Sequence, residues 1–336
     1  MEDICKRYSI DGAKPELHPE YDGCQNLIFY CGTEYVLRIS FRDDRTFDQI
    51  RAETDFVNYL YKNGVSVCPA IESKAGNLVE RFALSQAEIS SVLFKRAKGI
   101  RFPDNNYQYR KDAPIEEYFQ NIGKVLGQMH RLAKGYKPSG ADMRRPVFLD
   151  SLSDMAERYL PPELHLVRER FKLLAEEVKS LPSDKDGYGL VHADFGDGNY
   201  AIDYQNGNIT AFDFDDSAYC WFMYDLADTW ANGVGHAMFE GNALKRKEIM
   251  DNRFDNILEG YLAENDLSDY WLKKLPFFLK LVVMENIINE YRYLALEGDD
   301  EGPDEELEYK IACVERDLEY MGFFEGIYSS SHPFSL

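Results

Sequence analysis

The sequence predicts an α+β fold in two lobes: a small antiparallel sheet with one main helix, then a larger and mostly helical part. Three observations predict it. Between residues 20 and 100, β-branched and aromatic runs alternate with turn signals. Beyond residue 112, apolar residues recur at helical spacing. Within the helical half, one stretch, 189–216, has the pattern of a strand pair and concentrates acidic and amide side chains. At 336 residues the chain is long enough for two cores, which we assign to 1–97 and 98–336.

In the first lobe, runs 25–31 and 34–40 flank Cys31-Gly32-Thr33 and read as a hairpin. The next helix opens on Thr46-Phe47-Asp48-Gln49, which has capping-box spacing. It keeps Ile50, Val57 and Leu60 on one face and stops at Asn63-Gly64. Short strands are expected at 66–72, 77–82 and 91–96, with Lys98-Gly99 as connector. In the second lobe, Asp112 is placed as the cap of a helix with Pro114 in its first turn. Ile115, Tyr118, Ile122, Val125, Met129 and Leu132 are its buried stripe. Further helices are expected at 151–160, 163–181, 224–230, 242–265 and 270–297, and an exposed acidic loop at 297–308.

The chemistry is concentrated in 189–216. His192-Ala193-Asp194 is followed, five residues after the aspartate, by Asn199, and Asp213-Phe214-Asp215-Asp216 closes the stretch. Phosphoryl transfer needs such parts: one carboxylate takes the proton of the attacking hydroxyl, while an amide and a second carboxylate hold Mg²⁺ on the phosphates. Asn206-Gly207 favours a tight turn between strands. A two-residue loop there pairs Asn199 with Phe214 and puts Asn199 and Asp213 on opposite faces. A shared metal therefore requires a three-residue loop such as 205–207, or a bulge. Asp194, Asp213 and Asp215 in one cleft would raise one another's pKa unless a divalent cation compensates, and Mg²⁺ suits an oxygen-only set.

With these motifs in order, the chain resembles the aminoglycoside phosphotransferase and choline kinase superfamily, whose members share a bilobal fold with protein kinases. The resemblance spans roughly 21–296. It rests on His192, Asp194 and Asn199, on Phe212-Asp213-Phe214-Asp215, on Tyr224-Asp225-Leu226-Ala227 and on Gly127-Gln128-Met129-His130. It implies Asp194 as catalytic base, Asn199 and Asp213 as Mg²⁺ ligands, and His192 and Asp225 as braces of the catalytic loop. It also implies Arg38, within Val36-Leu37-Arg38, as a nucleotide-phosphate contact with Glu53 as its ion-pair partner. The glycine-rich loop is reduced to Gly23. Arg38 stands where relatives usually carry Lys, which keeps the charge and changes the geometry. Ala193 and Asp197 stand where many relatives have Gly and Pro. The donor implied is ATP or GTP, and the acceptor a hydroxyl of a small molecule.

Asp215, Trp221 and Glu285 are the candidates for acceptor contacts; a buried role for Trp221 and a solvated helix face for Glu285 stay open. His130 reads as a hydrogen-bonded structural histidine. Gly196-Asp197-Gly198-Asn199-Tyr200-Ala201 formally matches a dinucleotide fingerprint, but a strand pair follows where a helix is required. Asp213-Phe214-Asp215 alone resembles a glycosyltransferase metal motif and explains neither His192 nor Asn199. A protein serine/threonine kinase is the alternative enzyme, disfavoured by the short distance from Asp213 to Trp221; a non-catalytic nucleotide-binding protein is the other. The net charge of −21 and pI near 4.7 argue against nucleic acid or an anionic membrane and suit a cationic acceptor. The six cysteines have no zinc spacing, the N-terminus has no signal-peptide pattern, and Lys280 and Glu285 interrupt the most apolar late run. The expectation is a soluble cytoplasmic protein.

Overall fold

Local signals set the first lobe. A computed structural model describes residues 1–10, 14–18, 26–41, 45–83, 88–297 and 303–323. Gly23 lies outside them. A short helix absent from the expectations, α1 (Glu2–Arg7), buries Ile4 and Cys5 beneath the sheet with Tyr8, Leu37, Ile39 and Leu93. Strands β1 (Glu16–Leu17), β2 (Asn26–Cys31), β3 (Tyr35–Ser40), β4 (Ala70–Ile71), β5 (Glu80–Ala83) and β6 (Glu88–Lys95) form one antiparallel sheet. Its order is β1-β2-β3-β6-β4, with β5 also on β6. Helix α2 (Phe47–Lys62) starts at Thr46 with both arms of the capping box made and ends at Asn63.

The two lobes share packing across the expected boundary. One side of α2 places Ile50 against Ala70, Val79 and Val92 of the sheet. Phe56, Val57 and Leu60 instead enter the large core of the second lobe. The strand expected at 66–72 is split accordingly. Its second half is β4, whereas Ser66 and Cys68 hydrogen-bond Ala211 of the second lobe. At the connector, Ile100 exchanges two backbone hydrogen bonds with Ile202, so tightly that a Cβ on Gly99 would lie 1.9 Å from the Ile202 carbonyl oxygen.

The second lobe contains α3 (Ile115–Ala133), α4 (Phe148–Tyr159), α5 (His165–Lys179), β7 (Tyr188–Val191), β8 (Tyr200–Ile202), β9 (Ile209–Ala211) and β10 (Ala218–Trp221). It continues with α6 (Phe222–Ala231), α7 (Val234–Ala237), α8 (Ala243–Leu262), α9 (Asp269–Leu272), α10 (Leu275–Glu297) and α11 (Glu305–Glu315). Asp112 is not the cap of α3: Pro114 occupies that position, because a residue preceding proline is driven out of helical geometry. The helix expected at 270–297 breaks into α9 and α10, since Pro276 is tolerated only in a first turn. Part of the expected acidic loop is α11. Asp304 accepts from the Leu307 N–H and acidic residues fill the first turn, while Leu307, Tyr309 and Cys313 are buried. Helices α3 and α8 touch backbone to backbone. A Cβ on Gly123 would fall 1.8 Å from the Ile257 carbonyl oxygen, and one on Gly260 2.1 Å from that of Gln120. Among the described residues no helix is long and apolar enough to cross a membrane.

Candidate active site

The loop between β7 and β8 carries Asp194, and one buried carboxylate holds it. Asp225, in the first turn of α6, accepts the backbone N–H of His192 at 2.8 Å and of Ala193 at 2.9 Å. His130 on α3 lies 3.1 Å from the same carboxylate and 2.9 Å from the Tyr261 hydroxyl, which also accepts from Asn265. The backbone at Ala193 is left-handed, with φ of 67°, a conformation a non-glycine residue keeps only when its surroundings impose it. Asp225→Ala would strand these donors inside the protein. We expect it to lower unfolding free energy by about 3–5 kcal/mol, read by urea denaturation; a change below about 1 kcal/mol would remove the bracing role.

The β8–β9 register differs from both loops weighed from sequence. Tyr200 pairs with Ala211 and Ile202 with Ile209. Asp203 N–H donates to Asn208 O, leaving the four residues 204–207 as the loop. Asn199 therefore faces Phe212, whose N–H donates to the Asn199 carbonyl at 2.9 Å. Asp213 comes one residue later with φ of 61°, so it leaves the strand's alternation of faces. His192 Nε2, 3.0 Å from the Phe212 carbonyl, must carry its proton there, and it ties the catalytic loop to the residue before Asp213.

Asn199 donates its amide to Asp194 Oδ2 at 2.7 Å and to the Asp194 carbonyl at 2.9 Å, leaving its amide oxygen for a cation. Burial, then the Asp216 charge, raises the Asp194 pKa; His192 and the Asn199 hydrogen bond oppose the rise. Asp213 is pushed from 3.8 to about 7 by burial and then by Asp215, against the pull of Arg38. Among the described residues no three His, Cys, Asp or Glu side chains gather as a metal cluster. One carboxylate plus one amide oxygen still fits Mg²⁺, which keeps most of its shell as water and phosphate. A carboxylate titrating this high is one whose charge the protein alone leaves undercompensated.

On the donor side, Arg38 and Glu53 form a buried bidentate pair, with Nη1–Oε1 at 2.9 Å and Nη2–Oε2 at 2.5 Å. Arg38 Nη1 is also 3.9 Å from Asp213 and 3.6 Å from Asp215. Asp215, a candidate acceptor contact, sits among cations. It is buried among Arg38, Arg45 and Arg145 and takes a hydrogen bond from Asn26; those cations lower its pKa although burial, the largest influence, opposes them. Arg145 straps the lobes by donating to carbonyls of Gln49, Asp215 and Ser217. Trp221, the second candidate, takes the buried role left open from sequence. It is core, packed on Tyr188 and Phe278 with its indole N–H on the Pro182 carbonyl.

Beside the catalytic loop a cavity of about 320 Å³ is lined by Asp197, Gly198, Asp228, Asn232, Asn286 and Glu306, among others. Arg253, Tyr118 and Tyr200 satisfy Asp197. Asp228 is buried, and its Oδ2 has no hydrogen-bond partner. Burial, then the charges of Asp194 and Glu285, drives its pKa far up. Glu285 is pushed to about 8 by burial and then by Asp194 and Asp216. Sequence reasoning missed Asp228, although it follows Asp225 by three residues on the same helix and thus shares a face with it.

A sequence model of the phosphotransferase enzyme family matches residues 19–251, more than half of the chain. The chain is 30% identical over 265 residues to amicoumacin kinase of Bacillus subtilis (strain 168), covering 76% of this chain and 74% of that protein. It superposes on a solved amicoumacin kinase, in complex with AMP-PNP, Ca²⁺ and Ami, with a TM-score of 0.77 and 25% identity, covering 96% of this chain and 94% of that one. A microcompartment-associated aminopropanol kinase shares the fold with a TM-score of 0.64 at 19% identity, over 95% and 98% of the two chains. The chain therefore belongs to the phosphotransferase enzyme family as a small-molecule kinase that transfers a phosphoryl group to a hydroxyl.

Proposed function

We propose that the protein moves the γ-phosphoryl of ATP to a hydroxyl of a small molecule that also carries a cationic amine. The observation that carries the acceptor class is Asp228, a buried carboxylate with an unpartnered oxygen, lining a cavity next to the catalytic base. Asp194, Asp228 and Glu285 repel one another strongly enough to shift their titration, and Lys310 opposes the rise at Glu285. An ammonium group among them would compensate that repulsion. The −21 net charge favours its arrival.

In this reading, Asp194 orients the acceptor hydroxyl and takes its proton, held at the right rotamer by Asn199. The Asn199 amide oxygen and Asp213 hold Mg²⁺, which when bound neutralises charge on the transferred phosphoryl. Arg38, fixed by Glu53, faces the phosphates through Nη1. The main rate gain is positional and electrostatic. The relative solved with AMP-PNP and Ca²⁺ supports an adenine nucleotide, rather than GTP, and a divalent cation. A small acceptor fits better than a protein, because β10 begins at Ala218, five residues after Asp213, and leaves no room for an activation loop. The buried free thiols Cys31, Cys68, Cys220 and Cys313 fit a cytoplasmic location.

The test pairs amino alcohols with their deaminated isosteres in a nucleotide-consumption assay. Asp228→Asn is expected to raise KM for the amine-bearing acceptor at least about tenfold, or 1.4 kcal/mol, with KM for Mg·ATP unchanged. The isostere should be a poor substrate of wild type and no worse with the variant. Equal use of amine and isostere by wild type would refute the amine.

A further inference from the structure

Arg45 precedes the Thr46 cap of α2 and reaches across the cleft to the acids that follow Asp213. Its Nε is 3.2 Å from Asp215 Oδ2, an ion-pair contact without hydrogen-bond geometry, and its Nη2 donates to Asp216 Oδ1 at 2.5 Å. The two acids differ. Asp215 is an anchored partner: Arg38 approaches its Oδ1 at 3.6 Å, Asn26 donates to its Oδ2, and Arg145 holds its carbonyl. Asp216 is 55% exposed, so water can take over its carboxylate with little penalty.

Arg38 has only part of its donor capacity left for the donor phosphates, because each of its terminal nitrogens spends one N–H on Glu53. The guanidinium of Arg45 sits on the same Asp215 carboxylate as Arg38, beside Asp213. A phosphate offers more charge and better bidentate geometry than the exposed carboxylate it would displace. We propose that Arg45 is a positioning residue for the donor: it rests on Asp216 until nucleotide phosphates replace that carboxylate, while its Nε keeps Asp215 as pivot. This rests on the cleft being the nucleotide site.

The experiment is calorimetric titration of the full-length protein with Mg²⁺ and AMP-PNP, with no turnover involved. R45M is expected to raise Kd at least tenfold and R45K to recover part of the loss. D216N removes the competitor and should lower Kd two- to fivefold, and adding R45M to D216N should again weaken binding at least tenfold. If Arg45 merely ties the lobes together, R45M and D216N weaken binding alike and the double variant is no worse than either, which overturns the proposal. An unchanged Kd in R45M overturns it too. Wild type that does not bind AMP-PNP at all fails one step earlier, removing the donor-site reading along with it. Thermal melting confirms that each variant is folded, and the gain in affinity for D216N is a sign that no misfolded variant would give.

Discussion

Asp194→Asn should lower kcat by about 10²–10⁴-fold, the usual worth of a positioned general base, while Kd for Mg·ATP stays within about twofold. The substitution keeps shape and the Asn199 contact, so what it removes is the proton acceptor. Burial, then Asp216, raises the Asp194 pKa, the direction that strengthens a carboxylate as a base. Its loss should also flatten the acidic limb of the kcat/KM profile. Unchanged turnover, or nucleotide affinity lost in step with turnover, would mean that Asp194 holds the donor and is not the base.

Asp213→Asn has the second largest expected effect: loss of Mg·ATP binding by at least about a hundredfold, some 2.7 kcal/mol, with the fold intact. The pH dependence gives an independent check. The Asp213 carboxyl titrates near 7 in the fold against 3.8 ordinarily, so the folded state prefers the protonated form. The metal-free protein therefore loses stability from this group as pH rises from about 4 through 7. A cation is attracted to the deprotonated form and restores that loss. Addition of Mg²⁺ should accordingly raise Tm more at pH 8 than at pH 6 in wild type, and equally little at both in the variant. A pH-independent Mg²⁺ effect would move the cation away from Asp213.

Local signals in the sequence carried the sheet and α2: the capping box at Thr46 and the hairpin at Gly32 act within a few residues. The β8–β9 loop length was not legible from Asn206-Gly207. Asp203 sets it, accepting from Gln205 N–H and the Asn206 amide and pairing with Lys98, and in that loop Gly207 takes a positive φ. Asn199 faces Phe212, and the positive φ at Asp213 takes that residue out of the strand's alternation. Nothing in the local sequence singles out Arg45, because its partners Asp215 and Asp216 lie far along the chain. Trp221 was apolar and near the motif, and nothing local distinguishes a cleft wall from the core. Asp228 was within reach of helical periodicity, since it repeats the face of Asp225. The helix at 305–315 was hidden by acidity that, after Asp304, is itself an N-terminal signal.

The central claim is that Asp194, Asn199 and Asp213 face one phosphoryl-transfer centre. Anomalous diffraction from crystals grown with Mn²⁺ and AMP-PNP tests it most directly. The expected result is a peak within direct-ligand distance of both the Asn199 amide oxygen and an Asp213 carboxylate oxygen, with the γ-phosphate on its Asp194 side. A cation bound elsewhere, or phosphates lying away from Asp194, would contradict it.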